Sequence, residues 1–148
     1  MVSSLALGQF LKKHKQVGLD SNILIYFIEG SKTYEKPVKK VFEFIESGKT
    51  LGVCATLSLL EILVQPYRNK NEELVNQFYG MLTTYPHLTW VDMGIEIADL
   101  GAQLRAKYNL KTPDSILLAT AIHSRATGFI GNDAKFKKVT ELDVLMLS

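Results

Sequence analysis

The sequence predicts an α/β fold, a three-layer α/β/α sandwich with a mainly parallel sheet about four or five strands wide. Two observations predict it. Short runs rich in β-branched and apolar residues alternate along the chain with longer segments whose apolar positions recur at three- and four-residue steps. Parallel strands require such helical crossovers between them, and the alternation leaves helices on both faces of the sheet. Size agrees: 148 residues with 47% hydrophobic content suit one domain, 1–148, able to bury most of the apolar surface its unfolded form would expose.

Taken in order, Ser3 caps a short helix with Leu5, Leu7, Phe10 and Leu11 on overlapping turns, closing in Lys12, Lys13 and Lys15. Residues 1–15 read as a helical extension appended to the domain. QVGLD is a strand, and SNILIYFIEG switches to helical spacing through Ile23, Tyr26 and Phe27 with Gly30 as its stop, so strand gives way to helix at Asp20. YEKPVKKVFEFIESG is a helix because Val38, Val41, Phe42 and Ile45 fall on one face and Gly48 closes it. TLGVCAT is the next strand, followed by a helix, LSLLEILVQ, that carries Glu61 and is ended by Pro66. NEELVNQFYGMLTTY is a helix despite Gly80, LTWVDM a strand, and IEIADLGAQLRAKYN a long amphipathic helix. Thr112 as N-cap and Pro113 as first helical residue start DSILLATAIHSRA, with Asp114 in the first turn and Gly128 beyond the end. GFIGND is a strand running into a turn, and LDVLML a last short strand. The apolar faces Val38–Ile45 and Leu74–Leu82 are open to two readings, core or an interface between subunits.

Composition narrows the function classes little. Lys and Arg total 17 against 15 for Asp and Glu, a balance that neither favours nor excludes a polyanionic partner. The lone Cys54 has no second thiol for a disulfide or a zinc site and fits a reducing compartment. In MVSSLALGQFLKKHK the lysines follow a very short apolar patch, the reverse of an export signal. No apolar run approaches the roughly 20 residues of a spanning helix. The expectation is a soluble cytoplasmic protein with no membrane partner.

The chemistry lies in four acids. In an open α/β sheet the ligand crevice lies beyond the carboxyl ends of the strands, and Asp20 and Asp133 sit at such ends. Asp114 opens a helix and Glu61 lies about one turn into another, so both can face the same rim. Each acid alone also has a structural reading. Asp20 could cap its helix, Ser58 with Glu61 matches a capping box, Asp114 could complement a helix dipole, and Asp133 after Asn132 could form a turn. Their coincidence carries the argument. Two carboxylates ~4 Å apart repel by about 4 kcal/mol at an effective dielectric of 20, and no Lys or Arg lies within one residue of Asp20, Glu61 or Asp114. An oxygen-only site calls for a hard cation, magnesium or manganese. Such ions acidify water, orient a phosphodiester and stabilise the leaving oxygen, which makes phosphodiester hydrolysis the expected reaction.

These residues resemble a known family. VGLDSNILIYFIEG is similar to the first strand and helix of PIN domains, above all the VapC-type toxin ribonucleases; TLSLLEILVQP resembles their second acidic segment, KTPDSILLATAI the helix with the third acid, and FIGNDAKF the last acid followed by a Phe. The likeness runs from Gly18 to Phe136 in order and spacing. It implies metal-dependent cleavage of RNA, most often leaving a 5′-phosphate, a small antitoxin partner inserting a segment across the acids, and a homodimer. By position it implies metal-ligand roles for Asp20, Asp114 and Asp133, with Glu61 a further ligand or water-positioning acid. Ser21, Asn22 and Asn132 take supporting places, Asn22 bracing the Asp20 turn. One departure is Gly131, where the family often has Ser or Thr, so a hydroxyl is missing.

Arg125, Lys135, Lys137 and Lys138 are candidate RNA-phosphate contacts near the same rim, against the alternative of a solvated surface. His14, His87 and His123 share no metal-ligand spacing, and Trp90 reads as core. Ser21 has no G-x-S-x-G elbow and no His in register, so it is a poor nucleophile. A rival enzyme reading makes Asp20 the phosphorylated nucleophile of a phosphatase-like fold, but position 22 is Asn rather than a second Asp. The rival from another class is a non-catalytic PIN-like module that binds RNA or protein.

Overall fold

A computed structural model describes all 148 residues. The elements are α1 (Ser4–Lys13), β1 (Gln16–Leu19), α2 (Ser21–Glu29), α3 (Glu35–Glu46), β2 (Leu51–Ala55), α4 (Thr56–Arg68), α5 (Glu72–Thr83), β3 (Leu88–Val91), α6 (Ile95–Tyr108), α7 (Thr112–His123), β4 (Gly128–Gly131), a 3-10 helix (Ala134–Lys138) and β5 (Asp143–Met146). The five strands form one sheet in the order β3-β2-β1-β4-β5, and every neighbouring pair is parallel.

Side chains alternate across a strand, and the alternation separates two cores. Val17, Leu19, Cys54 and Ile130 face the side covered by α1 to α5, among Leu11, Ile23, Leu24, Val41, Phe42 and Leu82. Val53, Ala55 and Phe129 face the other side, under Ile97 and Leu104 of α6 and Leu117, Leu118 and Ala121 of α7. The expected three layers follow, with a fully parallel sheet. Gly18 points into the second layer, where a Cβ would lie 2.5 Å from the Ala121 methyl and 2.8 Å from the Phe129 ring. Its lack of a side chain lets α7 approach the central strand.

Three expectations about the elements are corrected. The helix of residues 1–15 is not an appendage: Leu7, Phe10 and Leu11 are buried, and His14 fastens the helix end to the far strands, 2.7 Å from Thr127 Oγ1 and 2.7 Å from Asp143 Oδ2. Pro66 does not end α4, which continues to Arg68. So near the C-terminus a proline removes little, because Asn69 N still donates to Gln65 O and Asn71 N to Pro66 O, each at 3.0 Å. Thr112 is the first residue of α7 and Pro113 the second; the N-cap is Lys111, whose side chain makes no capping bond. Val38, Val41, Phe42 and Ile45 of α3 and Val75, Phe78 and Leu82 of α5 are buried and belong to the core, while Tyr79 and Met81 of α5 are exposed. No helix is long and apolar enough to cross a membrane.

Replacing Gly18 by Ala should lower stability by about 1–3 kcal/mol, the usual range for overpacking a filled core. Urea unfolding of the two proteins measures it; an unchanged midpoint would show that α7 can give way.

Candidate functional site

The sheet order reverses at β1. The chain leaves β1 for β2 on one side and later returns to add β4 on the other, so the carboxyl ends of β1 and β4 stand together at a topological switch point. Asp20 follows β1 directly, and its backbone N donates to Ile130 O of β4 at 3.0 Å. Asp133 follows β4 at the N-cap of the 3-10 helix. Asp114 lies in the first turn of α7, and Glu61 lies on α4, which packs against both α2 and α7. Asp20 feels the charges of Asp114, Asp133 and Glu61 together. All four predicted acids therefore share one field.

Their hydrogen bonds differ sharply. Asp20 is 5% exposed, and its Oδ2 is the one buried side-chain polar atom without a partner. It holds the N-cap position of α2 but makes no side-chain cap bond, so the capping explanation of this residue fails. Ser21 Oγ lies 2.7 Å from Ser58 Oγ and donates to Glu61 Oε1 at 3.0 Å. The capping-box reading of Ser58 and Glu61 fails as well, because α4 begins at Thr56; the pair instead meets α2 through Ser21. Asp133 Oδ1 accepts from Lys135 N at 3.0 Å, the turn role the sequence allowed. Lys135 Nζ lies 3.6 Å from Asp133 Oδ2 and 3.9 Å from Asp114 Oδ2. With the side chains so placed, no three His, Cys, Asp or Glu residues form a group that encloses an ion.

The supporting residues are sorted by the same contacts. Asn132 Nδ2 donates to Tyr26 Oη at 3.2 Å, while Asn132 Oδ1 accepts from Ser148 N at 3.1 Å and Ser148 Oγ at 2.7 Å, tying the C-terminus beside the acids. Asn22 does not brace the turn: it is exposed, and Ile23 N donating to Asp20 O at 3.0 Å closes that turn instead. Arg125 does not lie near the rim. Asp114 lies in the first turn of α7 and Arg125 follows its end, and the helix from Asp114 to His123 alone spans about 14 Å. Lys137 and Lys138 are exposed beside the rim. At Gly131 a Cβ would lie 3.1 Å from the Phe136 ring, so packing against Phe136 disfavours the hydroxyl residue expected there. The sequence reading missed Ser58 as a link to Glu61 and Lys135 as a counter-charge. The sequence offered Ser58 as part of a capping box and Lys135 as an RNA contact, because the partners that decide their roles, Ser21 and Asp114, lie far along the chain.

Burial, then the charge of Asp114, pushes the Asp20 carboxyl from 3.8 up to about 6, with Asp133 and Glu61 adding to the rise and a Ser21 backbone bond opposing it. Burial likewise raises Asp114, against the pull of Lys135. For an acid whose folded value is raised, the stabilising contribution is complete below the ordinary value and is lost as pH rises through the folded one. In EDTA, Asp20 should therefore cost the fold on the order of 3 kcal/mol between pH 4 and pH 7.5. Asn at position 20 should remove that loss. Denaturant unfolding of both proteins at the two pH values checks it; parallel pH profiles would refute the assignment.

Comparison with known proteins agrees with this geometry. The PIN domain family model matches residues 17–142. A toxin-antitoxin complex from Klebsiella pneumoniae contains a chain of similar structure, with a TM-score of 0.68 at 22% identity over 90% of this chain and 98% of that one. VapBC2 from Rickettsia felis, bound to a promoter DNA fragment, gives 0.68 at 17% identity over 88% and 98%. DNA-bound VapBC from Salmonella typhimurium gives 0.70 at 17% identity over 90% and 98%. These identities support a shared fold. No curated protein matches the sequence. With its five parallel strands, its acids gathered at the switch point and a family match spanning nearly the whole chain, the protein belongs to the PIN domain family.

Proposed function

We propose that the chain is a divalent-metal-dependent endoribonuclease, the toxin of a toxin-antitoxin pair. The observation that carries this reading is Asp20: a carboxylate buried at a strand end with an oxygen that no protein donor satisfies is costly unless a cation completes it. Asp20, Asp114 and Asp133 are the proposed ligands of magnesium or manganese, with Glu61 a further ligand or water-positioning acid. Such an ion supplies Lewis acidity and charge neutralisation at a phosphodiester.

The protein's own part is positioning. Ser21 and Ser58 fix the Glu61 carboxylate from behind, leaving its other oxygen free to orient a water or accept its proton. Lys137 and Lys138 are placed to meet RNA phosphates, a contact that adds affinity without reading bases. The solved relatives are described as toxin-antitoxin complexes, which favours an antitoxin partner here too. An open groove of about 860 Å³ between α2 and α3 suits such a segment, since the partly buried Phe27 and Tyr85 line it with Glu29, Glu43 and Glu46 beside Lys32 and Lys39. Tyr26 joins that groove to Asn132 at the acids. The exposed apolar residues Leu60, Tyr67, Met93 and Ile95 are the proposed surface of a homodimer. A cytoplasmic location accords with the unpaired Cys54.

The test is cleavage of a mixed panel of labelled RNAs by the purified protein in magnesium, manganese or EDTA, beside Asp20→Asn. Cutting should require metal and fall by at least about a hundredfold in the variant with the fold retained. A second reading, a non-catalytic module that binds RNA or protein, draws on Gly131 and on the pairing of two acids with Lys135. RNA binding without cleavage under every metal condition would select it.

A further inference from the structure

We infer that Lys135 is a built-in counter-ion that competes with the divalent cation for Asp114 and Asp133, and so sets the metal affinity of the site. The inference rests on the metal-site reading above and concerns how that site is regulated.

Lys135 Nζ lies between two carboxylates that belong to different elements, 3.6 Å from Asp133 Oδ2 and 3.9 Å from Asp114 Oδ2. The contact is built by the local fold. Asp133 Oδ1 accepts from the backbone N of Lys135, which starts the 3-10 helix. The following Phe136 is buried against Phe129. With its backbone pinned on both sides, the lysine stem has a short path back to the acids. Its partners are only partly buried, with 21% of the Asp114 side chain and 38% of the Asp133 side chain exposed, and the Lys135 side chain is 43% exposed.

Those numbers define a displaceable clasp. Both distances exceed the roughly 2.7–2.9 Å of a strong charge-assisted bond, and a half-exposed pair is worth little in water. A divalent ion would carry twice the charge and would be held by oxygens of both carboxylates. Lys135 makes no ion pair with Asp20, whose Oδ2 has no partner, so an ion held by all three acids would gain a ligand that the ammonium group lacks. Its binding would displace the ammonium group, and its loss would let Lys135 return between two acids that otherwise repel each other. Lys111 also lies close enough to act on Asp114 through space, but it makes no ion pair with the cluster. Lys137 and Lys138 share the basic segment without touching the acids, so they provide controls of equal charge.

Calorimetric titration of the full chain with Mn²⁺ at fixed ionic strength tests this without reference to catalysis. Lys135→Met should bind Mn²⁺ on the order of tenfold more tightly than the wild type, since a competing positive charge at contact distance is gone. Lys137→Met, with the same change in net charge, should stay within about twofold. Equal or weaker binding by Lys135→Met overturns the inference while leaving the metal site intact. Binding that Asp20→Asn does not weaken overturns the metal-site reading and this inference with it.

The unsubstituted protein gives a second measurement should Lys135→Met fold poorly. Under amine acetylation followed by mass spectrometry, Lys135 should label severalfold faster when Mg²⁺ is added, with Lys137 and Lys138 unchanged. Labelling that stays constant or slows at Lys135 would overturn the clasp.

Discussion

The parallel pairing of β1 with both β2 and β4 is the constraint on which the rest depends. Because β1 is central, Asp20 is delivered to the middle of the sheet edge, with its backbone held by Ile130 of β4. Because the chain reverses its direction of growth there, the next elements on either side, α2 after β1 and the 3-10 helix after β4, turn toward one crevice. Gly18 belongs to the same device. Without a side chain it admits Ala121 of α7 against the strand, so that the helix bearing Asp114 packs close to the strand bearing Asp20.

The crevice is costly by design. Asp20 lies in the field of three other carboxylates, nearly dry and with one oxygen lacking a donor, and burial together with like charge holds protons on it well above the usual carboxylate range. The protein relieves this strain unevenly. Glu61 is steadied by a serine pair, Asp133 by a backbone amide, and Asp114 with Asp133 by one lysine. Asp20 alone receives no side-chain partner. Uneven relief leaves one buried acceptor open, where buried polar atoms of a folded protein are ordinarily satisfied.

How much was legible beforehand depends on the range of each interaction. The elements and their order could be read because periodicity of two or of three to four is a local property of the chain. Asp20, Asp114 and Asp133 could be read because each follows a strand end or lies in a helix's first turn, and Glu61 because it lies about one turn into the helix after a strand. Errors arose where a local rule met a distant partner. Ser58 looked like a cap but was claimed by Ser21 across the α2–α4 contact. Arg125 seemed close to the acids in sequence but α7 carried it to the opposite edge. The helix of residues 1–15, an appendage by its local pattern, was locked in through His14 by Thr127 and Asp143.

By itself, then, the sequence determined an α/β fold of strands with helical crossovers, three acids at strand and helix ends with a fourth about one turn into a helix, and the lack of a second thiol. Tertiary structure alone decided which oxygen stays unsatisfied, which lysine reaches the acids, and that α3 and α5 turn their apolar faces inward. The physical reason is range. Helix and strand preferences are set by neighbours within a few residues, whereas desolvation and Coulomb interaction depend on distances that exist only once β1, β4, α4 and α7 have come together.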